Sequence, residues 1–113
     1  MTEPLTAEDE KLLTLARGAR GRIGAPEGAA LRDETGRTYA SASVTLPSLH
    51  LSALQSAVAQ AVAAGARGVE AALLVVDDGG VDADGAAAVR DLGGVGVRVL
   101  AVDAQGAVHA SRT

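Results

Sequence analysis

Leu49–Val76 reads LHLSALQSAVAQAVAAGARGVEAALLVV, and its two halves follow two different periods. In the first half Leu51, Leu54, Val58, Ala61 and Val62 recur at spacings of three and four, the apolar stripe of a helix. Ser52, Gln55, Ser56 and Gln60 fall towards the other side. Leu46-Pro47-Ser48 supplies a turn and a cap, so a helix is expected over Leu49–Ala64, with Gly65 as its stop. In the second half Val69–Val76 is almost continuously apolar, as in a strand covered on both faces. A helix that feeds such a strand through a glycine turn belongs to a layered α/β fold.

Upstream, Thr6 followed by Asp9 marks a helix start, with a side-chain cap and acids in the first turn. Leu12, Leu15, Ala16 and Ala19 form the expected buried face. Gly18, Gly21 and Gly24 weaken this helix, and Pro26 ends it. Ala29–Leu31 reads as a short strand, Asp33–Gly36 as a turn, and Arg37–Val44 as a second strand; together they make a hairpin. Downstream, Asp77–Gly80 is a turn, Asp82–Leu92 a short helix and Val95–Val102 another fully apolar strand. Asp103–Gly106 is a turn before an edge strand at Ala107–Ala110. The order α-β-β-α-β-α-β-β predicts one domain over residues 1–113, frayed at its ends. It is expected to be a three-layer α/β/α sandwich around a mixed sheet of four to five strands.

Composition narrows the function classes. The 113 residues are 48% hydrophobic, yet Phe and Trp are absent and Tyr39 is the single aromatic residue. A core of Ala, Val, Leu and Gly buries little area per side chain, and self-association is one way to bury more. The chain has no cysteine, which excludes disulfides, thiolate metal sites and cysteine nucleophiles. The acidic start (Glu3, Glu8, Asp9, Glu10) lacks a basic n-region and apolar h-region, so no signal peptide is expected and the location is read as cytoplasmic. No apolar run approaches a membrane span of about 18 residues. A net charge of −4 argues against DNA or broad nucleic-acid binding. Arginine-for-lysine usage with abundant Ala and Gly points to a GC-rich bacterial genome.

Pro26-Glu27-Gly28-Ala29-Ala30-Leu31 and Gly36-Arg37-Thr38-Tyr39, taken with the element order, resemble the cytidine deaminase family. That family carries a P-V-G-A-A-L strand, a G-R turn, an N-x-E strand end and a C-A-E-R-T-A helix start. A later P-C-x-x-C opens its next helix. Ser52–Val58 resembles the C-A-E-R-T-A-I start, Ala61–Gly65 the helix end, and Arg90-Asp91-Leu92-Gly93 the end of the third helix. The resemblance runs from about residue 10 to about residue 107 and implies the family's fold.

The same correspondence implies that the chemistry is missing. Family deaminases hold zinc on three thiolates, or on one His and two Cys, and a non-ligand glutamate shuttles protons. Here Ser52 stands at the first ligand and Leu54 at the glutamate. Val81-Asp82-Ala83-Asp84-Gly85 stands at the P-C-x-x-C turn, and Ser43-Val44-Thr45 at the ribose-binding N-x-E. Zinc brings the pKa of a bound water down to about 7, far below that of free water. Losing general acid–base help costs a further factor of about 10² to 10⁴. The resemblance therefore implies no catalytic residues, no metal ligands and no cofactor. It also implies a dimer or tetramer, with the helix Leu49–Ala64 near the interface and Ala59, Ala63 and Ala64 as a close-packing surface. A structural or interaction module with an unidentified protein partner is the leading expectation. The alternative is a binding module for a nucleoside, nucleotide or other small ligand, using a remnant pocket of Ser43, Thr45, His50 and Ser52. An active deaminase is the least favoured reading.

The remaining constellations read most simply as structure. His50 and His109 lack partners in sequence, and one His makes no metal site. Ser52 beside His50 has no G-x-S-x-G elbow and no evident orienting acid. Ser48 and Ser52 at a helix start leave room for an anion. Asp77, Asp78, Asp82 and Asp84 lack the closing glutamate of a calcium loop. Gly93-Gly94-Val95-Gly96 precedes a strand, the reverse of a dinucleotide fingerprint. Arg17, Arg20 and Arg22 form a small basic patch that reads first as a solvated helix end and alternatively as an RNA or phosphate contact.

Overall fold

The computed structural model describes residues 5–77 and 80–112. Helix α1 spans Ala7–Ile23. Its start is a reciprocal capping box: the Asp9 N–H donates to the Thr6 hydroxyl at 3.0 Å, and the Thr6 N–H donates to the Asp9 carboxylate at 3.1 Å. Gly24, at φ 63°, ends it in the left-handed conformation that glycine adopts without strain. Its buried face is Leu12, Leu13, Ala16 and Ala19, whereas Leu15 is 38% exposed. Leu13 and Leu15 flank the stripe on opposite sides, and the helix lies rotated towards Leu13.

Strand β1, Glu27–Asp33, and strand β2, Thr38–Ala42, form the expected antiparallel hairpin. The buried Asp33 carboxylate closes its turn, accepting from the Thr35 N–H at 2.8 Å, the Thr35 hydroxyl at 2.7 Å, the Arg37 N–H at 3.0 Å and the Tyr39 hydroxyl at 3.0 Å. Two three-residue strands follow, β3 at Val44–Leu46 and β4 at Leu49–Leu51, paired as a separate hairpin. Helix α2 then spans Ala53–Ala63, β5 Val69–Val76, α3 Ala83–Gly93, β6 Val99–Val102 and β7 Val108–Arg112. The main sheet is mixed, five-stranded and ordered β2-β1-β5-β6-β7; β5 and β6 are parallel and the other pairs antiparallel.

Helices cover both faces. Leu73 and Val75 of β5 face α1 together with Ala30, Leu100 and Val102. Ala72 and Leu74 face α2 and α3 together with Ala29, Leu31 and Val99. Successive residues of a strand point to opposite sides, so two covered faces demand the uninterrupted apolar run of β5. Gly28 is needed where α1 crosses β1, because a Cβ there would sit 2.2 Å from the Ala16 carbonyl oxygen.

The structure departs from the sequence reading at several points, the first being that the expected strand Arg37–Val44 ends at Ala42, with Val44 opening β3. The second helix starts at Ala53, not Leu49, because Leu49–Leu51 pairs with Val44–Leu46 and Ser52 becomes the cap. Within α2, Ser56 is buried and shares a short hydrogen bond with the Ser41 hydroxyl, whereas Val62 is 54% exposed. The last apolar run begins its strand at Val99, not Val95, because Gly94 and Gly96 adopt positive φ and leave Val95 85% exposed.

Candidate functional site

The N-termini of α2 and α3 meet on one side of the sheet. Ser52 caps α2: its hydroxyl accepts from the Gln55 N–H at 3.2 Å, and its own N–H donates to Gln55 Oε1 at 2.9 Å. This serine spends its hydroxyl on the helix end. Asp82 caps α3, with its Oδ2 accepting from the Gly85 N–H at 2.7 Å. Between these caps lies Leu54, which has no solvent exposure. A Cβ added to Gly85 would stand 2.7 Å from the Leu54 Cβ, so the two helix starts are in direct contact there. Leu54 therefore fills the space between them.

Sequence reasoning missed Glu27 as a member of this site. It opens β1, and its Oε1 accepts from the Ala53 N–H at 3.1 Å. A carboxylate at the first turn of α2 meets the positive end of the helix dipole. The expectation that no acid lies near Ser52 is thus corrected. The signal in sequence was the acid in Pro26-Glu27-Gly28, where the resembling family has an apolar residue. Its reach to a helix 26 positions away was not legible locally.

Ser43, Thr45, His50 and Ser52 all lie on the β3–β4 hairpin or its flanks. Thr45 and His50 are direct cross-strand partners, and both are exposed. His50 is therefore a strand residue and not a helix end. The Ser43 N–H donates to the Glu27 carbonyl at 3.3 Å, which ties the foot of the hairpin to β1. Ser43 and Ser52 thus converge on Glu27 and the start of α2, while Thr45 and His50 stand away from Leu54 on an exposed ribbon.

The donor set at the two helix starts does not fit zinc. A catalytic zinc takes three protein ligands from thiolate, imidazole or carboxylate. At the two helix starts Ser52 presents a capping hydroxyl, Asp82 a capping carboxylate and position 85 a glycine. Asp82 Oδ1 is the one buried side-chain oxygen or nitrogen without a hydrogen-bond partner among the described residues, and it is a single donor. No group of three His, Asp or Glu residues is arranged around a metal position among the described residues. Asp84 is exposed, and Asp78 lies outside the described residues. His109 lies on β7, 3.0 Å from the Asp103 carboxylate, so its expected isolation is also corrected.

The arrangement ties the starts of α2 and α3 through capping groups, and residue 54 is a leucine where the resembling family has a carboxylate. Among the described residues, no helix is long and apolar enough to cross a membrane.

A family model described as "Cytidine deaminase-like" matches residues 5–106. The fold is similar to that of cytidine deaminase from Burkholderia pseudomallei, with a TM-score of 0.80 and 24% identity over 96% of this chain and 93% of that one. It is also similar to cytidine deaminase from Mycobacterium leprae, with a TM-score of 0.73 and 21% identity over 92% and 93% of the two chains. No curated protein matches.

Proposed function

This chain belongs to the cytidine deaminase-like family, and from that premise we propose that it is a catalytically inactive member, a cytoplasmic structural or protein-interaction module. The observation that carries the reading is Leu54. Its side chain has no solvent exposure and fills the junction of α2 and α3. It can neither donate nor accept a proton, and its neighbours Ser52, Asp82 and Glu27 are engaged in holding helix N-termini. Hydrolysis of an aromatic amine requires a potent nucleophile and a proton carrier side by side. Nothing at this junction supplies the pair.

Support for the interaction role comes from the surface. Leu46 and Leu49 flank the tip of the β3–β4 hairpin and are 54% and 46% exposed. Ala59, Val62 and Ala63 are exposed along the last turns of α2, and Ala64 is exposed at its C-cap. Such faces suit close packing against another chain, and a homo-oligomer, dimer or tetramer, is the proposed form. Two assays test the proposal. Ammonia release from cytidine is expected to stay at background with or without added zinc, and turnover that Leu54→Ala alters would overturn the inactive reading. Light scattering after gel filtration is expected to give a mass above 11.2 kDa, reduced towards it by Ala63→Glu. A monodisperse monomer that captures no protein would overturn the module reading.

A second reading rests on the facing pair Thr45 and His50 beside Ser43 and Ser52. It makes the hairpin a contact for a nucleoside or nucleotide. A thermal-shift series with both classes tests it, since a ligand at 100 times its Kd adds about 2.7 kcal/mol. No shift with any of them removes this reading.

A further inference from the structure

On the α1 side of the sheet lies a cleft that the family resemblance does not explain. It sits at the carboxyl ends of β5 and β6, the two parallel strands, and encloses about 500 Å³. Arg17, Arg20, Gly21 and Gly24 line it from the α1 side, with Asp77 after β5 and Gln105 after β6 opposite them. Ligands of open α/β sheets settle outside the carboxyl ends of the strands.

Two guanidinium groups from successive turns of α1 reach this cleft, and they are not equivalent. Arg20 is held in place: Nη1 and Nη2 donate to the Asp77 carboxylate at 3.1 and 2.7 Å, and Nε donates to the Ala25 carbonyl at 3.2 Å. The hydrogen bond from Arg20 keeps the Asp77 carboxyl below the usual carboxylate range. Arg17 makes no hydrogen bond or ion pair among the described residues. It extends towards the turn after β6, with its Nη2 3.7 Å from where a Cβ of Gly106 would be. Among the described residues that line the cleft, Arg17 is thus the charged side chain without a carboxylate partner, while Asp103 lies near enough to Asp77 to interact with it.

We propose that this cleft binds a small ligand through a phosphate group, with Arg17 as the main contact and Arg20, braced by Asp77, as the second. A guanidinium has five N–H donors. Arg20 spends three of them on Asp77 and Ala25, so two remain beside the five of Arg17. A tetrahedral oxyanion has acceptors for that many donors, whereas a flat carboxylate has fewer. Arg22 lines a separate groove with Ile23, Ala40 and Gln60. The three arginines therefore form no continuous strip, and a small ligand fits better than an extended polyanion. Gly21 agrees with this assignment. A Cβ there would meet nothing within 4 Å, so the fold itself does not demand glycine, which is unfavourable inside a helix. In the cleft wall it leaves room for a ligand's close approach.

Amide chemical shifts of the intact chain, titrated with inorganic phosphate and with glycerol phosphate, test the proposal. Saturable shifts are expected at Gly21, Gly24, Ala104 and Gln105, with glycerol alone giving none. Arg17→Ala is expected to weaken binding about tenfold or more, and Arg90→Ala to leave it unchanged. Gly21→Leu is expected to raise the melting temperature and yet block binding, which a purely structural glycine would not do. Shifts that never saturate, equal losses in Arg17→Ala and Arg90→Ala, or undiminished binding by Gly21→Leu would each overturn the proposal. Tighter binding of a single-stranded RNA than of glycerol phosphate would also overturn it.

Discussion

Replacing Gly85 by alanine should destabilise the protein, although the same change elsewhere in a helix stabilises it. Alanine is favoured over glycine in a helix by at most roughly 1 kcal/mol. At Gly85 the new Cβ would lie 2.7 Å from the Leu54 Cβ, and 2.7 and 2.8 Å from the Asp82 carboxylate oxygens. None of these distances is tolerable, so the start of α3 must move away from α2 and the Asp82 cap must let go as well. Overpacking costs about 1–3 kcal/mol, and a lost N-cap about 1 kcal/mol. Net of the propensity gain, the loss is about 1–3 kcal/mol. At roughly 2.1 cal/mol/K per residue the unfolding entropy of 113 residues is about 0.24 kcal/mol/K. The melting temperature should therefore fall by about 4–12 °C. Gly18→Ala is the control: its Cβ would meet nothing within 4 Å, so it should gain up to about 1 kcal/mol, or roughly 4 °C. Paired thermal melts by circular dichroism read both signs. If Gly85→Ala melts at or above the parent temperature, the two helix starts do not close on each other and the filled junction is refuted.

Further outcomes follow from the same geometry. Leu54→Ala should cost about 2–5 kcal/mol in a urea melt, because a fully buried leucine leaves a cavity between two helices. Ser52→Ala should cost about 1 kcal/mol by the same measurement, since the hydroxyl caps α2; a loss of zinc affinity without a loss of stability would instead mark Ser52 as a ligand. Asp33 has its carboxyl held below the usual range, first by the Thr35 hydroxyl and then by the Thr35 N–H, the Tyr39 hydroxyl and the Arg37 N–H. A depressed folded pKa gives stability that is present above the unfolded value of about 3.9 and is lost as pH falls through the folded one. Urea midpoints should therefore drop below about pH 4, and Asp33→Asn should flatten that acid limb.

The fold was legible because its two periods are clean. Val69–Val76 has no polar interruption except Glu70, and only a strand covered on both sides reads that way. Thr6 and Asp9 announced the first helix through a capping box that is local in sequence. The misplaced start of α2 shows where local reading stops. Leu49–Leu51 continues the helical stripe in sequence, and only pairing with Val44–Leu46 assigns it to a strand. The stripe in sequence took in Leu15 and left out Leu13, and only packing against the sheet reverses that choice. In the site, the absence of thiols and the leucine at position 54 could be read directly. The Glu27 contact with Ala53 could not, because it depends on how β1 abuts α2. The cleft beside Arg17 was legible only as a basic patch. Its division into a braced Arg20, an open Arg17 and a diverging Arg22 comes from where β5 and β6 end.

The central claim is that the junction of α2 and α3 has become a packing contact with no hydrolytic site. Equilibrium dialysis of the purified protein against zinc, followed by elemental analysis, tests it most directly. The account predicts no stoichiometric metal and no change in the amide spectrum at Ser52, Leu54 or Gly85. One zinc ion per chain, with those three amides displaced, would contradict it.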